Sequence, residues 1–230
     1  MTEKIWQPRL SRAEQIRGWV FFALYLLAFP YLTSLIQRIW MAQGEIPAAE
    51  TNLVYYAALL MLAGVLLHTF LRGEFDRLAD DLPGNLAAGL MGFALWLALT
   101  SLVRRIPLPL ESLLPFQWRQ EYIFAPRVTV LLVVVLIPLI EEIFYRGLIF
   151  GVLRQKSRPL AYGLSAVFFA LASVWRYALN LGDWRYLLTG VQYLPAALTL
   201  AWAYERGGSV WTAVALRIAM HAAVLFLLVH

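Results

Sequence analysis

Apolar residues run along this chain in blocks long enough to cross a bilayer, separated by short stretches that collect arginine, proline and acidic residues. A crossing helix needs about 20 mainly apolar residues, since each advances it about 1.5 Å through a hydrocarbon core about 30 Å thick. Such blocks occupy residues 18–36, 53–71, 85–103, 128–152, 159–179, 187–204 and 209–229. The pattern predicts an all-α, polytopic membrane bundle of about seven helices (six to eight) around a polar intramembrane cavity. The segment 106–127, IPLPLESLLPFQWRQEYIFAPR, holds four prolines and four aromatics. It reads as a loop, an interfacial helix or a re-entrant piece. Before the first block, Ile5, Trp6, Leu10, Ala13 and Ile16 recur at roughly helical spacing with basic residues between them. That suits either an amphipathic helix on a cytoplasmic leaflet or a frayed basic tail. The domain reading is an N-terminal segment, 1–17, followed by one transmembrane domain, 18–230.

Composition sharpens this picture. The chain has 230 residues, 61% of them hydrophobic and 14% charged, with a mean hydropathy of +0.67. A soluble domain carries about 25% charged residues, so an integral membrane protein is expected. Cysteine is absent, which excludes disulfides, thiolate metal sites and a cysteine nucleophile. The formal charge of +5 does not point to nucleic acid, because the basic residues are spread over loops that flank spans. The start, MTEKIWQPRLSRAEQIRG, carries Lys4, Arg9, Arg12 and Arg17 ahead of a full-length span, so no cleavable signal peptide is expected. With the N-terminus inside, inner segments carry ten Lys and Arg residues against seven outside. The expected orientation is a cytoplasmic N-terminus in the plasma (inner) membrane. No GxxxxGK[ST], GxGxxG or HExxH occurs, so nucleotide and zincin readings lack their anchors.

Charges inside the apolar blocks carry the chemistry. Each costs roughly 2.5–3.5 kcal/mol to insert, so it faces the bundle interior and pairs there. The candidates are Glu141, Glu142, Arg146, Arg217 and His221, with His68 near a span end and His230 at the terminus. Glu142 and Arg146 are four apart and stack on one helix face, acid before base. Glu141 lies about 100° around the helix, which leaves it free to point into a cavity as a base or ligand. Pro138 loosens the backbone one turn earlier. Arg217 and His221 are also four apart, and their shared face is expected to meet the carboxylates. One glutamate with one arginine would read as a structural ion pair. Two adjacent carboxylates with one arginine leave a charge over, which favours a functional pocket.

The run EEIFYRG and the stretch GGSVWTAVALRIAMH resemble the CAAX prenyl endopeptidase and bacteriocin-processing family (CPBP, also called Abi) of intramembrane proteases. Glu141, Glu142 and Arg146 match its EExxxR motif. His221 matches its third motif, a histidine followed four residues later by asparagine. The resemblance covers about 125–230. It implies that the first glutamate and a second-motif histidine activate a water, while the third-motif His and Asn stabilise the oxyanion. The chain departs at two places. Its FxxxH motif, aligned on Phe169, reaches Ser173 instead of His, and aligned on Phe168 reaches Ala172. Four residues after His221 stands Leu225 instead of Asn. A serine is no proton acceptor at neutral pH and leucine donates nothing. Each loss costs roughly 10²-fold or more in such a mechanism. Arg217 is a candidate substitute electrophile, one turn from His221.

Three functions follow. The first is a CPBP-type intramembrane endopeptidase with Glu141 as base. The second is a degenerate member acting as a membrane binding, immunity or regulatory protein. The third is a small transporter using the buried carboxylates. A zinc site from Glu141, Glu142 and His221 has a poor ligand set with two arginines nearby, so no metal or other cofactor is expected. The expected partners are membrane lipids and a prenylated or membrane-associated peptide or protein, with no nucleic acid.

Overall fold

The computed structural model describes residues 6, 9–28, 31, 32, 35, 38, 39 and 48–229. Lys4, Ile5, His230 and much of the second half of the predicted first span lie outside the described residues.

Helix starts follow local chemistry. Ser11 and Glu14 form a capping box, each side chain accepting from the other's backbone N–H, and α1 (Arg12–Ala23) begins there. It continues as wider, π-type turns over Leu24–Ala28, so residues 12–17 are helical and continuous with the first apolar block. α2 (Ala48–Leu66) and α3 (His68–Asp80) meet at Leu67, where the axis turns by 87°. Asp81 caps α4 (Leu82–Val103) by accepting the Gly84 N–H, with Pro83 in the first turn. The remaining helices are α5 (Leu114–Phe124), α6 (Pro126–Arg154), α7 (Arg158–Leu181), α8 (Leu194–Gly207) and α9 (Val210–Val229). Trp184–Tyr193, between α7 and α8, forms 3₁₀ turns. α8 ends at Gly208, whose φ of 84° only glycine adopts without strain.

The chain is an all-α membrane bundle. Among the described residues α4, α6, α7 and α9 are long and apolar enough to cross a membrane, and the bent pair α2–α3 makes a fifth candidate. Two of the seven predicted blocks are drawn differently. Block 53–71 breaks at Leu67, and 187–204 is divided at Leu194. The 14 residues of α8 reach about 21 Å, short of the hydrocarbon thickness. Of the three readings of 106–127, the structure shows a loop followed by the short helix α5.

α6 is the axis of the bundle, with 61% of its most apolar stretch buried against 17% for α4. It has π-type turns over Leu131–Leu136 and Ile143–Phe150, on either side of Pro138. Proline has no N–H to complete the ordinary ladder, and such turns often sit at functional positions. Close approach to α3 requires Gly147, where an added Cβ would stand 2.7 Å from the Phe70 ring. α8 lies along α4, and α9 packs against α4, α8 and α6.

One end of the bundle is strapped by the N-terminal segment. Trp6 donates its indole N–H to the Gly151 carbonyl. Arg9 sits against the rings of Trp6 and Tyr204 and donates to Glu74 and to the Gly208 carbonyl. The segment therefore packs into the bundle instead of lying apart from it. At this strap end Glu74 is fully buried, held by Arg9, Arg77 and the Val210 N–H. Glu205 gathers Arg154, Arg158 and Tyr162. The opposite end contains the 104–127 segment, the 3₁₀ turns and the end of α9, joined by Tyr177 to Gln117 and Ser112 to Tyr193.

Candidate functional site

Midway along α6 the adjacent carboxylates meet α9. Glu142 is fully buried, and its Oε1 accepts from Arg217 Nη1 at 2.8 Å. Glu141 accepts from Arg217 Nη2. Arg146 Nε stands 3.2 Å from Glu142 Oε2, completing the acid-before-base pair one turn along α6. That contact is an ion pair without hydrogen-bond alignment, and none of the Arg146 guanidinium nitrogens has a hydrogen-bond partner among the described residues. Phe169 on α7 packs under both cations. The Arg217 guanidinium carbon is 4.5 Å, and that of Arg146 5.1 Å, from its ring centroid. Two carboxylates and two guanidiniums thus make a neutral group of four charges joining α6 to α9, with the α7 phenyl ring as its floor. Glu141 is not the free carboxylate expected from helix geometry. Arg217 holds it, Tyr25 of the π-type turns after α1 places its hydroxyl 3.5 Å from Oε1, and its side chain is 20% exposed.

His221, one turn beyond Arg217, turns away from the carboxylates. Its Nδ1 lies 2.6 Å from the Val133 carbonyl oxygen. A carbonyl only accepts, so Nδ1 carries the proton and Nε2 keeps the lone pair in the neutral ring. Trp118 of α5 covers the imidazole, with ring centroids 4.7 Å apart. A zinc site from Glu141, Glu142 and His221 finds no support here, because Arg217 stands between the carboxylates and an imidazole turned elsewhere.

The two substituted positions lie outside this group. Ser173 donates its hydroxyl to the Phe169 carbonyl of its own helix at 2.9 Å. Leu225 is buried in an apolar cluster with Trp118 and Val133. The cleft lined by Gly18, Phe21, Ala63, Leu66, Leu67 and Phe144 is apolar and holds none of the four charges.

Tyr25, Trp118 and the Val133 carbonyl belong to the site and carry no signal in the sequence. Aromatic and branched residues at such positions are ordinary core, and a carbonyl has no signature. The spacing of Arg217 and His221 was the usable clue to the face of α9, but of the two only Arg217 meets the carboxylates, while His221 turns to the Val133 carbonyl.

Residues 123–223 match a family model described as type II CAAX prenyl endopeptidase Rce1-like. The match contains the four charges, Phe169, Ser173 and His221, and ends two residues before Leu225. No curated protein and no solved structure matches the chain.

Proposed function

We propose, from the family match over residues 123–223, that the chain is a CPBP-family, CAAX protease-like membrane protein that binds a membrane-associated peptide or protein without cutting it. The observation carrying this reading is Arg217, which donates to Glu141 and Glu142 at once. A base must accept a proton from water. In this core the guanidinium already engages both carboxylates. The second-motif position offers only Ser173, with its hydroxyl turned to its own backbone. The third offers Leu225 in an apolar cluster. Water activation and the second oxyanion donor are both missing, each worth roughly 10²-fold or more. What remains is a neutral polar core and the family's helical frame.

The catalytic assignments are accordingly recast. Glu141 and Glu142 anchor Arg217, Arg146 balances Glu142, and His221 braces α6 against α9. The partner class is a prenylated or membrane-associated peptide or protein. The test is a cleavage and binding assay on the purified full chain with fluorescent prenylated and unprenylated peptides. The expected result is retained binding with no cleavage. The combined Ser173→His, Arg217→Ala and Leu225→Asn chain should gain cleavage that Glu141→Ala removes. Cleavage by the unaltered chain, lost in Glu141→Ala, overturns this reading.

A further inference from the structure

Each end of the bundle keeps both paired and unpaired arginines: Arg185 pairs with Asp183 at one, and Arg72 and Arg206 have no side-chain partner among the described residues at the other. At the strap end Arg9 and Arg77 are bound to Glu74, and Arg154 and Arg158 to Glu205. At the opposite end Arg104, Arg105, Arg119 and Arg127 have no side-chain hydrogen bond or ion pair among the described residues. The segment 104–127 holds two acidic residues, Glu111 and Glu121, against these four arginines. Net positive charge left uncompensated between two spans calls for an external anion.

α5 shows which surface presents it. Leu114, Trp118 and Tyr122, four apart, make its inward stripe and pack with Val133 and Leu225. The far side is apolar again, with Phe116 60% and Phe124 84% exposed, and Arg119 lies beside them. α5 bridges the end of α4 and the start of α6, which sets it at the depth where spans leave the hydrocarbon. Exposed aromatics next to unpaired arginines at that depth are the physical pattern of a helix seated among acyl chains, with its cations at the phosphates. The apolar edge favours a lipid over a soluble acidic protein.

We propose that α5 and its flanks form a binding surface for anionic phospholipid headgroups. Arg104, Arg105, Arg119 and Arg127 contact the phosphates while Phe116 and Phe124 enter the leaflet. The inward face of the same helix carries Trp118 over His221, so lipid on one side of α5 holds the cover over the other. The surface is independent of whether the core cuts peptides.

The chain has no cysteine, so Q120C on the exposed side of α5 accepts a single fluorophore. The full chain is reconstituted in phosphatidylcholine vesicles containing phosphatidylglycerol, with brominated acyl chains on one lipid or the other. At equal mole fraction the brominated phosphatidylglycerol should be enriched about fivefold at the label, as expected for a single basic contact. R104Q, R105Q, R119Q and R127Q together should abolish the preference while quenching by brominated phosphatidylcholine persists. If the fourfold variant does not reconstitute, the pairs R104Q/R105Q and R119Q/R127Q should each lower it. Equal quenching by the two lipids, or a preference that survives both pairs, overturns the proposal. Equal quenching with a polyglutamate peptide bound at the label assigns the patch to an acidic protein partner and overturns it too.

Discussion

Arg217 donates to two carboxylates, of which Glu142 is fully buried, so its removal strands charge in the bundle. Breaking a buried ion pair from one side costs about 3–5 kcal/mol. Arg217→Ala should lose that much, seen as a lowered unfolding midpoint of the detergent-solubilised chain. Arg217→Lys, a point charge without the planar fork, should lose less. Ser173→Ala should change stability by no more than about 0.5 kcal/mol, since its hydroxyl only back-bonds within α7. A large loss there would mean that Ser173 reaches the core. The four charges were legible in the sequence because each is an outlier in an apolar run. Their pairing was only half legible. Spacing tied Arg146 to Glu142, but counting one arginine against two glutamates left a charge over, and only the fold brings in Arg217 across 75 residues. Tyr25 and Trp118 were illegible because a site aromatic and a core aromatic look alike in sequence.

Among the elements, the strap-end contacts are set by three acids, Glu14, Glu74 and Glu205. Glu14 accepts the Phe70 N–H, an orphan donor in the first turn of α3. Glu74 accepts the Val210 N–H at the start of α9. Glu205 ties α6 and α7 to α8. Burial pushes the Glu205 carboxyl up, but hydrogen bonds from Arg154 and Tyr162 and the charges of Arg158 and Arg154 outweigh it and hold it below the ordinary value. The folded chain therefore holds this proton less tightly than the unfolded one. Its contribution is complete above the unfolded value of about 4.3 and drains away as pH falls through the folded value. Glu205→Gln should flatten the acid limb of a stability–pH curve in detergent and leave its alkaline side unchanged in shape. An unaltered acid limb would show that Glu205 is not linked to folding. The turn at Leu67 had no marker, since neither glycine nor proline stands there. Tertiary packing of Phe70 on Gly147 sets it, and packing overrides local preference. Helix starts at Ser11, Asp81 and Ser157, by contrast, follow capping residues visible in the chain.

For the whole molecule, the membrane class and helical fold followed from hydropathy alone, because a bilayer demands long apolar helices. The arrangement of the blocks did not. Hydropathy cannot separate a 14-residue buried helix such as α8 from a true span, since both must be apolar. Among the described residues outside the core and the segment 29–47, nine Lys and Arg lie at the strap end and six at the opposite end. That bias favours a cytoplasmic strap end. A cysteine in place of Lys156 should resist a membrane-impermeant maleimide in right-side-out vesicles, and one in place of Glu111 should react. The reverse pattern would invert the orientation.

The neutral core also sets a timetable for synthesis. Glu141 and Glu142 leave the ribosome long before Arg217, which belongs to the last helix. At about 5–20 residues per second the 75 residues between Glu142 and Arg217 take roughly 4–15 s. Throughout that interval α6 carries one more carboxylate than it can neutralise. That excess is neutralised in the bundle when α9 brings Arg217 to Glu141 and Glu142. A chain stopped before Arg217 would keep a charged helix with no counterpart, and the cell's quality control would meet it as an orphan.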